Sequence, residues 1–265
     1  MILDEIAAAT RKRVERCKHS ISLEEMKNKA YSMEVQRTFP FEERLHKEGI
    51  RFICEIKKAS PSKGVIDEAF PYVHIAREYE EAGADCMSVL TEPDYFMGSA
   101  RYLEEIHEAV GTPLLRKDFT VDVYMIYEAK VIGASAVLLI CSLLDEDTLH
   151  RWIGLCDRLG LSALVEAHDE AEIAMAVRAG ARIIGVNNRD LTTFRVDIEN
   201  GVRLREYIPD NILFVAESGI HTRADIEALE KVGTDGVLIG EALMRSADKK
   251  AVLRELRGHG DCYEN

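Results

Sequence analysis

Two lysines and three glutamates stand at the ends of apolar runs in this chain, where a bare charge is out of place: Glu55, Lys57, Lys117, Glu166 and Glu217. Glu55-Ile56-Lys57 follows Phe52-Ile53-Cys54, and residues two apart on a strand face the same way, so Glu55 and Lys57 share a face. A carboxylate and an ammonium at the end of a buried strand are costly unless paired, hydrated or used. Taken alone, the pair is an ordinary strand-end salt bridge. The design recurs, however. Leu114-Leu115-Arg116-Lys117-Asp118-Phe119 places Lys117 and Phe119 on one face and Arg116 and Asp118 on the other. Leu164-Val165-Glu166 carries Glu166 on the face of Leu164. The run 183–189 ends in Asn187 and Arg189, and Val215-Ala216-Glu217 carries Glu217 on the face of Val215. Acids and bases packed together shift each other's pKa, which proton transfer near neutral pH requires.

Something must bring these ends together. Strand-like runs cover 52–57, 86–91, 113–119, 136–142, 162–168, 183–189, 213–218 and 236–239. Between them lie helical segments such as 123–132, 146–159 and 170–179, with 191–208 the weakest. Five helix ends repeat one joint, in which Gly83, Gly133, Gly160, Gly180 and Gly233 precede a short turn and an apolar run. Glycine there supplies the positive φ of a helix C′ residue. Eight βα units with a repeated joint predict an α/β fold, a (β/α)8 TIM barrel, rather than an open sheet. An open sheet would also call for a glycine-rich dinucleotide loop, and G-x-G-x-x-G is absent. In such a barrel the active residues sit at the C-terminal strand ends, so the odd-numbered strands deliver two Lys and three Glu to one mouth. Interior barrel positions otherwise favour Val, Ile and Leu, so packing does not explain the ring.

A second signal lies in the last two loops. Ser218-Gly219-Ile220 and Gly240-Glu241-Ala242 follow strands seven and eight. Glycines there let backbone N–H groups approach a phosphate beside a short helix N-terminus, and Lys57 and Ser60 complete that site. Residues 1–47 form a helical extension, in which Ser22 and Glu25 read as a capping box. The extension is expected to dock on the barrel of 48–265 rather than to serve as a lid. Phe96, in the Thr91-Glu92-Pro93-Asp94-Tyr95-Phe96 loop, lines an aromatic pocket or staples the loop. His168 is expected to face away from Glu166, and no His stands at metal-ligand spacing, so no metal is expected.

The formal net charge of −13 over 265 residues argues against nucleic acid or an anionic membrane as partner. Six cysteines without paired spacing suggest a reducing compartment. The acidic N-terminus is not expected to be a signal peptide, and no run approaches the ~20 apolar residues of a membrane span. A soluble cytoplasmic protein is expected, a monomer or weak homo-oligomer acting on a phosphorylated small molecule.

At these residues the sequence resembles the indole-3-glycerol-phosphate synthase family of tryptophan biosynthesis, over essentially the whole chain. The resemblance rests on Glu55-Ile56-Lys57-Lys58-Ala59-Ser60-Pro61-Ser62, Leu115-Arg116-Lys117-Asp118-Phe119, Leu164-Val165-Glu166, Gly185-Val186-Asn187-Asn188-Arg189-Asp190-Leu191 and Ala216-Glu217-Ser218-Gly219-Ile220. It implies ring closure of 1-(2-carboxyphenylamino)-1-deoxyribulose 5-phosphate with loss of carbon dioxide and water, without metal or coenzyme. It further implies Lys117 as general acid, Glu166 as general base or acid of the dehydration, and Lys57 on the substrate carboxylate or phosphate. Glu55, Asn187 and Glu217 order that network. Arg189 meets the anthranilate carboxylate, Phe96 and Phe119 flank the ring, and Pro61, Leu191 and Ser218 line the pocket. Ser60, Gly219, Gly240 and the backbone of Glu241 hold the phosphate. Glu241 departs from the family, many of whose members carry a small hydroxylated residue there, and its carboxylate is expected to turn away. The chain ends about one helix after strand eight, so no fused phosphoribosylanthranilate isomerase barrel is expected. Competing readings are another phosphate-binding barrel enzyme, such as an isomerase, and a phosphate-ligand sensor without catalysis.

Overall fold

The computed structural model describes residues 2–35, 37–189 and 195–258. Three helices come first, α1 (Ile2–Ser20), α2 (Leu23–Ser32) and α3 (Pro40–Leu45). Then each apolar run becomes a parallel strand: β1 (Arg51–Ile56), β2 (Cys86–Leu90), β3 (Leu114–Lys117), β4 (Ala136–Ile140), β5 (Ser162–Ala167), β6 (Ile183–Asn187), β7 (Leu213–Glu217) and β8 (Gly236–Ile239). They pair in chain order and β8 closes on β1, giving the (β/α)8 barrel. Seven of the runs read from the sequence differ from the strands by one or two residues at an end, because the ladder stops where the chain bends into its loops. The five joint glycines all have positive φ, from 71° to 88°.

The helices between and after the strands are α4 (Tyr72–Glu81), α5 (Pro93–Phe96), α6 (Ala100–Ala109), α7 (Val123–Val131), α8 (Glu146–Leu159), α9 (Glu170–Ala179), α10 (Glu199–Leu204), α11 (Arg223–Lys231), α12 (Glu241–Arg245) and α13 (Lys249–Leu256). Among its described residues, the weak helical segment after β6 yields the short α10 and a 3-10 turn at Arg205–Tyr207. The Ser-Pro-Ser-Lys-Gly loop after β1 holds a small antiparallel pair, Ala59–Ser60 with Gly64–Val65.

Two apolar layers build the core. Ile53, Leu115, Leu138, Leu164, Ile183, Val215 and Leu238 fill the barrel, while the outward strand residues pack against the helices. Burying such side chains contributes about 1.5–3 kcal/mol each. Phe41 and Leu45 of α3 belong to the interior layer and plug the N-terminal end of the barrel. Helix α2, capped by the Ser22–Glu25 box, packs across α7. That cover explains why α7 buries residues all around its axis, from Tyr124 to Lys130.

Helix α1 is fastened at the opposite end. Arg13 donates two hydrogen bonds to Asp118, each 2.8 Å, and Lys18 reaches Asp122 at 2.7 Å. Asp118 also accepts from Thr91, and the neighbouring Arg116 binds Glu128 and the Met125 carbonyl. The face of β3 turned away from the lysine is thus a buried polar socket for the extension. Among the described residues, no helix is long and apolar enough to cross a membrane.

Candidate active site

The strand register sets the site. Lys117 and Glu217 are the last residues of β3 and β7, and Asn187 ends β6 directly opposite Glu217. Glu166 on β5 lies opposite Gly185, and Gly185 lies opposite Val215. Gly185 matters by its missing side chain, since a Cβ there would collide with Oε1 of Glu217. Gly240 plays the same part for Glu55, whose Oε2 occupies the space of a Cβ. Two glycines clear room for two carboxylates.

All five charged residues converge at the C-terminal mouth. Lys117 Nζ stands 3.4 Å from Glu166 Oε2 and 3.7 Å from Glu217 Oε2. Lys57 pairs with Glu55. Asn187 donates to Glu166 Oε1 at 3.3 Å and accepts from the Arg189 backbone N–H at 3.0 Å, tying the network to the β6 loop.

The electrostatics separate the two central carboxylates. Burial pushes Glu166 up, but Lys117, His168 and Asn187 outweigh it and hold it below its ordinary value. Glu217 is driven by burial to about 8, with Glu166 and Glu55 adding to the effect against Lys117. Burial also pulls Lys117 down, yet Glu166, Glu217 and Glu55 prevail and raise it. The two carboxyls are thus driven in opposite directions, Glu166 toward the ionised form and Glu217 toward the protonated form, with the Lys117 ammonium between them. Two carboxyl groups pushed apart in pKa are how one site holds both a base and an acid.

His168 faces Glu166, contrary to the expectation from sequence. Two residues apart, they share parity, and Nε2 lies 3.4 Å from Glu166 Oε1. Among the described residues, no group of three or more His, Cys, Asp or Glu is arranged to hold a metal.

A cavity opens above this network. Its lining includes Glu55, Lys57, Ser60, Pro61, Phe96, Lys117, Phe119, Asn187, Arg189, Glu217, Ser218, Gly219, Gly240 and Glu241. Glu166 is not on the wall. Its carboxylate, 2 % exposed, sits behind Lys117 and Asn187. Leu191 lies outside the described residues. Phe96 and Phe119 approach with ring centroids 6.0 Å apart. Phe96 is held there by Glu92, whose buried carboxylate caps the backbone N–H groups of Asp94, Tyr95 and Phe96.

Across the cavity, Ser218 and Gly219 both take positive φ, 67° and 81°. Ser218 is a non-glycine residue in the left-handed region, which is uncommon and costs energy. The first turn of α12 stands beside them, with Gly240 at its cap. Glu241 lines the cavity as well, and its carboxylate is engaged by Lys63 and Arg245, each at 3.2 Å. Burial raises Glu241, but these two cations hold it below its ordinary value.

Several wall residues escaped the sequence reading. Ile2, Leu3 and Ile6 of α1 line the cavity, so the extension forms part of the mouth as well as resting on the barrel. Ile2 and Ile6 stand four residues apart, a helical spacing, but nothing local says what they cover. Lys63 and Ile66 also line it, and Lys63 sits inside the Ser-Pro-Ser-Lys-Gly stretch, where a cation near a phosphate loop was a readable signal.

Comparison with known proteins gives this geometry a family. The chain matches the model of indole-3-glycerol phosphate synthase over residues 3–256. It is 57% identical to the indole-3-glycerol phosphate synthase of Ruminiclostridium cellulolyticum, covering 97% of this chain and 99% of that one. It is 52% identical to the protein of that name from Endomicrobium trichonymphae, covering 97% and 100%. Among solved structures, 3-hexulose-6-phosphate synthase from Salmonella typhimurium superimposes with a TM-score of 0.65 at 15% identity, over 79% of this chain and 97% of the other, a likeness of fold alone. The chain belongs to the indole-3-glycerol phosphate synthase family.

Proposed function

We propose that the cavity binds 1-(2-carboxyphenylamino)-1-deoxyribulose 5-phosphate and closes its indole ring, acting as a carboxy-lyase. The observation that carries this reading is the Lys117 ammonium between Glu166 and Glu217, in one cavity with an aromatic wall and a glycine-lined loop pair. Phe96 and Phe119 would flank the anthranilate ring, and Arg189 would meet its carboxylate. Ser60 and the backbone N–H groups of Gly219, Gly240 and Glu241 would hold the phosphate, with Lys57 near either anionic end. Pro61, Ser218 and Leu191 would complete the pocket.

In the first step the ring carbon bearing the carboxylate attacks the ketone carbon. Negative charge grows on the ketone oxygen, and Lys117 delivers a proton to it. Breaking the bond to the carboxylate then releases carbon dioxide and restores the aromatic ring, so the chemistry needs no electron-sink coenzyme or metal. The new hydroxyl then leaves as water on taking a proton from Lys57, which shares the acid role, while the neighbouring carbon loses its proton to Glu166, ionised in this site. Glu55, Asn187 and Glu217 keep these groups in register.

The same reading treats 1–47 as an extension docked over the barrel and 48–265 as one catalytic domain, monomeric or weakly associated, with no nucleic acid or membrane as partner. Its five described cysteines are all unpaired, which supports a cytoplasmic location.

The test is a fluorescence assay for the indole product, with wild type and Lys117→Ala and no added cofactor. Turnover by the wild type and a loss of about 10²–10⁴-fold in the variant is the expected result. Substrate binding without turnover by the wild type would instead favour a phosphate-ligand sensor.

A further inference from the structure

His168 belongs to a carboxylate–imidazole–carboxylate bridge that reaches from the site to the rim of the barrel. It stands one residue past β5, on the face of Glu166. Glu172 in the first turn of α9 accepts the His168 backbone N–H at 2.8 Å and lies 3.1 Å from ring Nδ1. Glu172 is itself fixed, its backbone N–H donating to Asp169. With one edge of the ring held there, Nε2 is aimed at Glu166 Oε1. Nε2 is buried and has no hydrogen-bond partner among the described residues.

Both ring nitrogens therefore face carboxylates, which only accept hydrogen bonds when ionised. A neutral imidazole would turn one lone pair toward a carboxylate, whereas an imidazolium satisfies both. The groups around Glu166 divide its two oxygens: Lys117 donates to Oε2 and Asn187 to Oε1, and His168 Nε2 faces Oε1 at 3.4 Å. His168 is absent from the cavity wall.

We propose that His168 is a positioning residue of this site, an imidazolium that holds the Glu166 carboxylate in place and keeps it ionised for its work as a base. This rests on the reading of Glu166 given above. The charged and titratable groups facing the bridge are Glu166 and Glu217 from the barrel, Glu172 and Asp169 from the start of α9, and Lys117 across Glu166. The Cys141 thiol beneath α9 is neutral, since burial pushes it up to about 12. Burial pulls His168 down, but Glu172 and Glu166 outweigh it and carry it to about 9.

The experiment is the pH profile of kcat/KM for wild type, His168→Gln and His168→Leu. Gln keeps a donor toward Glu166 without the charge, and Leu removes both. The acidic limb should move up by about one unit in both variants, a tenfold loss on that limb, with KM little changed. Gln should keep more of the plateau rate than Leu. A uniform loss at every pH, with the limb unmoved, would reduce His168 to packing and overturn the proposal. An independent reading comes from nitrogen NMR of the His168 ring in the intact wild-type protein. Both nitrogens should be protonated at pH 7.5, and the titration should fall toward about 6.5 in Glu172→Gln. A wild-type ring that titrates near 6.5 overturns the proposal even if no variant folds. A wild type that lacks turnover but shows the charged ring removes the catalytic reading and leaves the bridge standing.

Discussion

Glu166 and Lys117 meet across the barrel with 3.4 Å between Oε2 and Nζ, yet only Lys117 reaches the cavity wall. In the proposed mechanism the acid is presented to the ligand, and the base works from behind it. Changing the base should therefore disturb chemistry more than binding. Glu166→Gln is expected to lower kcat by about 10²–10⁴-fold while KM stays within a few-fold. A KM that rises as steeply as kcat falls would place Glu166 in ground-state binding instead.

Glu217 gives a pH dependence whose sign is fixed by burial. Its carboxyl rises from 4.5 to about 8 on folding, so between those values the folded chain holds a proton that the unfolded chain has lost. The stability this group contributes is full below about 4.5 and is lost as pH rises through about 8. Glu217→Gln mimics the protonated form at every pH. Its Tm relative to wild type should climb from pH 5 to pH 8, by calorimetry. A difference that stays flat over that range contradicts the raised carboxyl.

The room made by Gly185 is tested with one methyl group. In Gly185→Ala the new Cβ meets Glu217 Oε1, and the carboxyl must shift. Misplacement of about 1 Å can cost about 10²-fold in rate, so kcat should drop by at least tenfold with a native circular dichroism spectrum. Unchanged kcat would show that the Glu217 position has slack.

Arg13 and Asp118 anchor α1 through two hydrogen bonds. Removing one partner of a buried pair strands the other, at a cost of about 3–5 kcal/mol; the partial exposure of Arg13 puts Arg13→Ala near the low end. Because Ile2 and Leu3 line the cavity, KM should rise together with the loss of stability in urea. A stable variant with unaltered KM would mean that α1 is held by its apolar face alone.

Glu241 sets a carboxylate beside the glycine-lined loops, balanced by Lys63 and Arg245. Glu241→Gln removes the negative charge and leaves Lys63 for the substrate phosphate. At a partly exposed site that is worth about 1 kcal/mol, a KM roughly fivefold lower at low salt and less so at high salt. A higher KM in this variant would show that Glu241 serves the substrate by placing Lys63.

The barrel and the ring of charges were legible in the residues because their rules are local. Strand parity placed Glu55 and Lys57, Lys117, Glu166 and Glu217 on inward faces. The glycine joints marked five helix ends, and each needed only φ to be right. Closure of the barrel then brought the odd strands together, as the repeat implied. What the tertiary structure decided depends on distance across the barrel. Whether Glu166 or Glu217 carries the proton depends on their shared burial and on Lys117 between them, which no single strand encodes. His168 stands two residues after Glu166 and so shares its face, but its clamp by Glu172 arises only when α9 packs beside that strand. The reach of Ile2 and Leu3 into the mouth follows from the Arg13–Asp118 anchor, a contact 105 residues apart in sequence. Residue types and periodicity therefore set which charged groups meet at the barrel mouth, and packing set their protonation and their neighbours, because pKa and contact are properties of surroundings rather than of order in a chain.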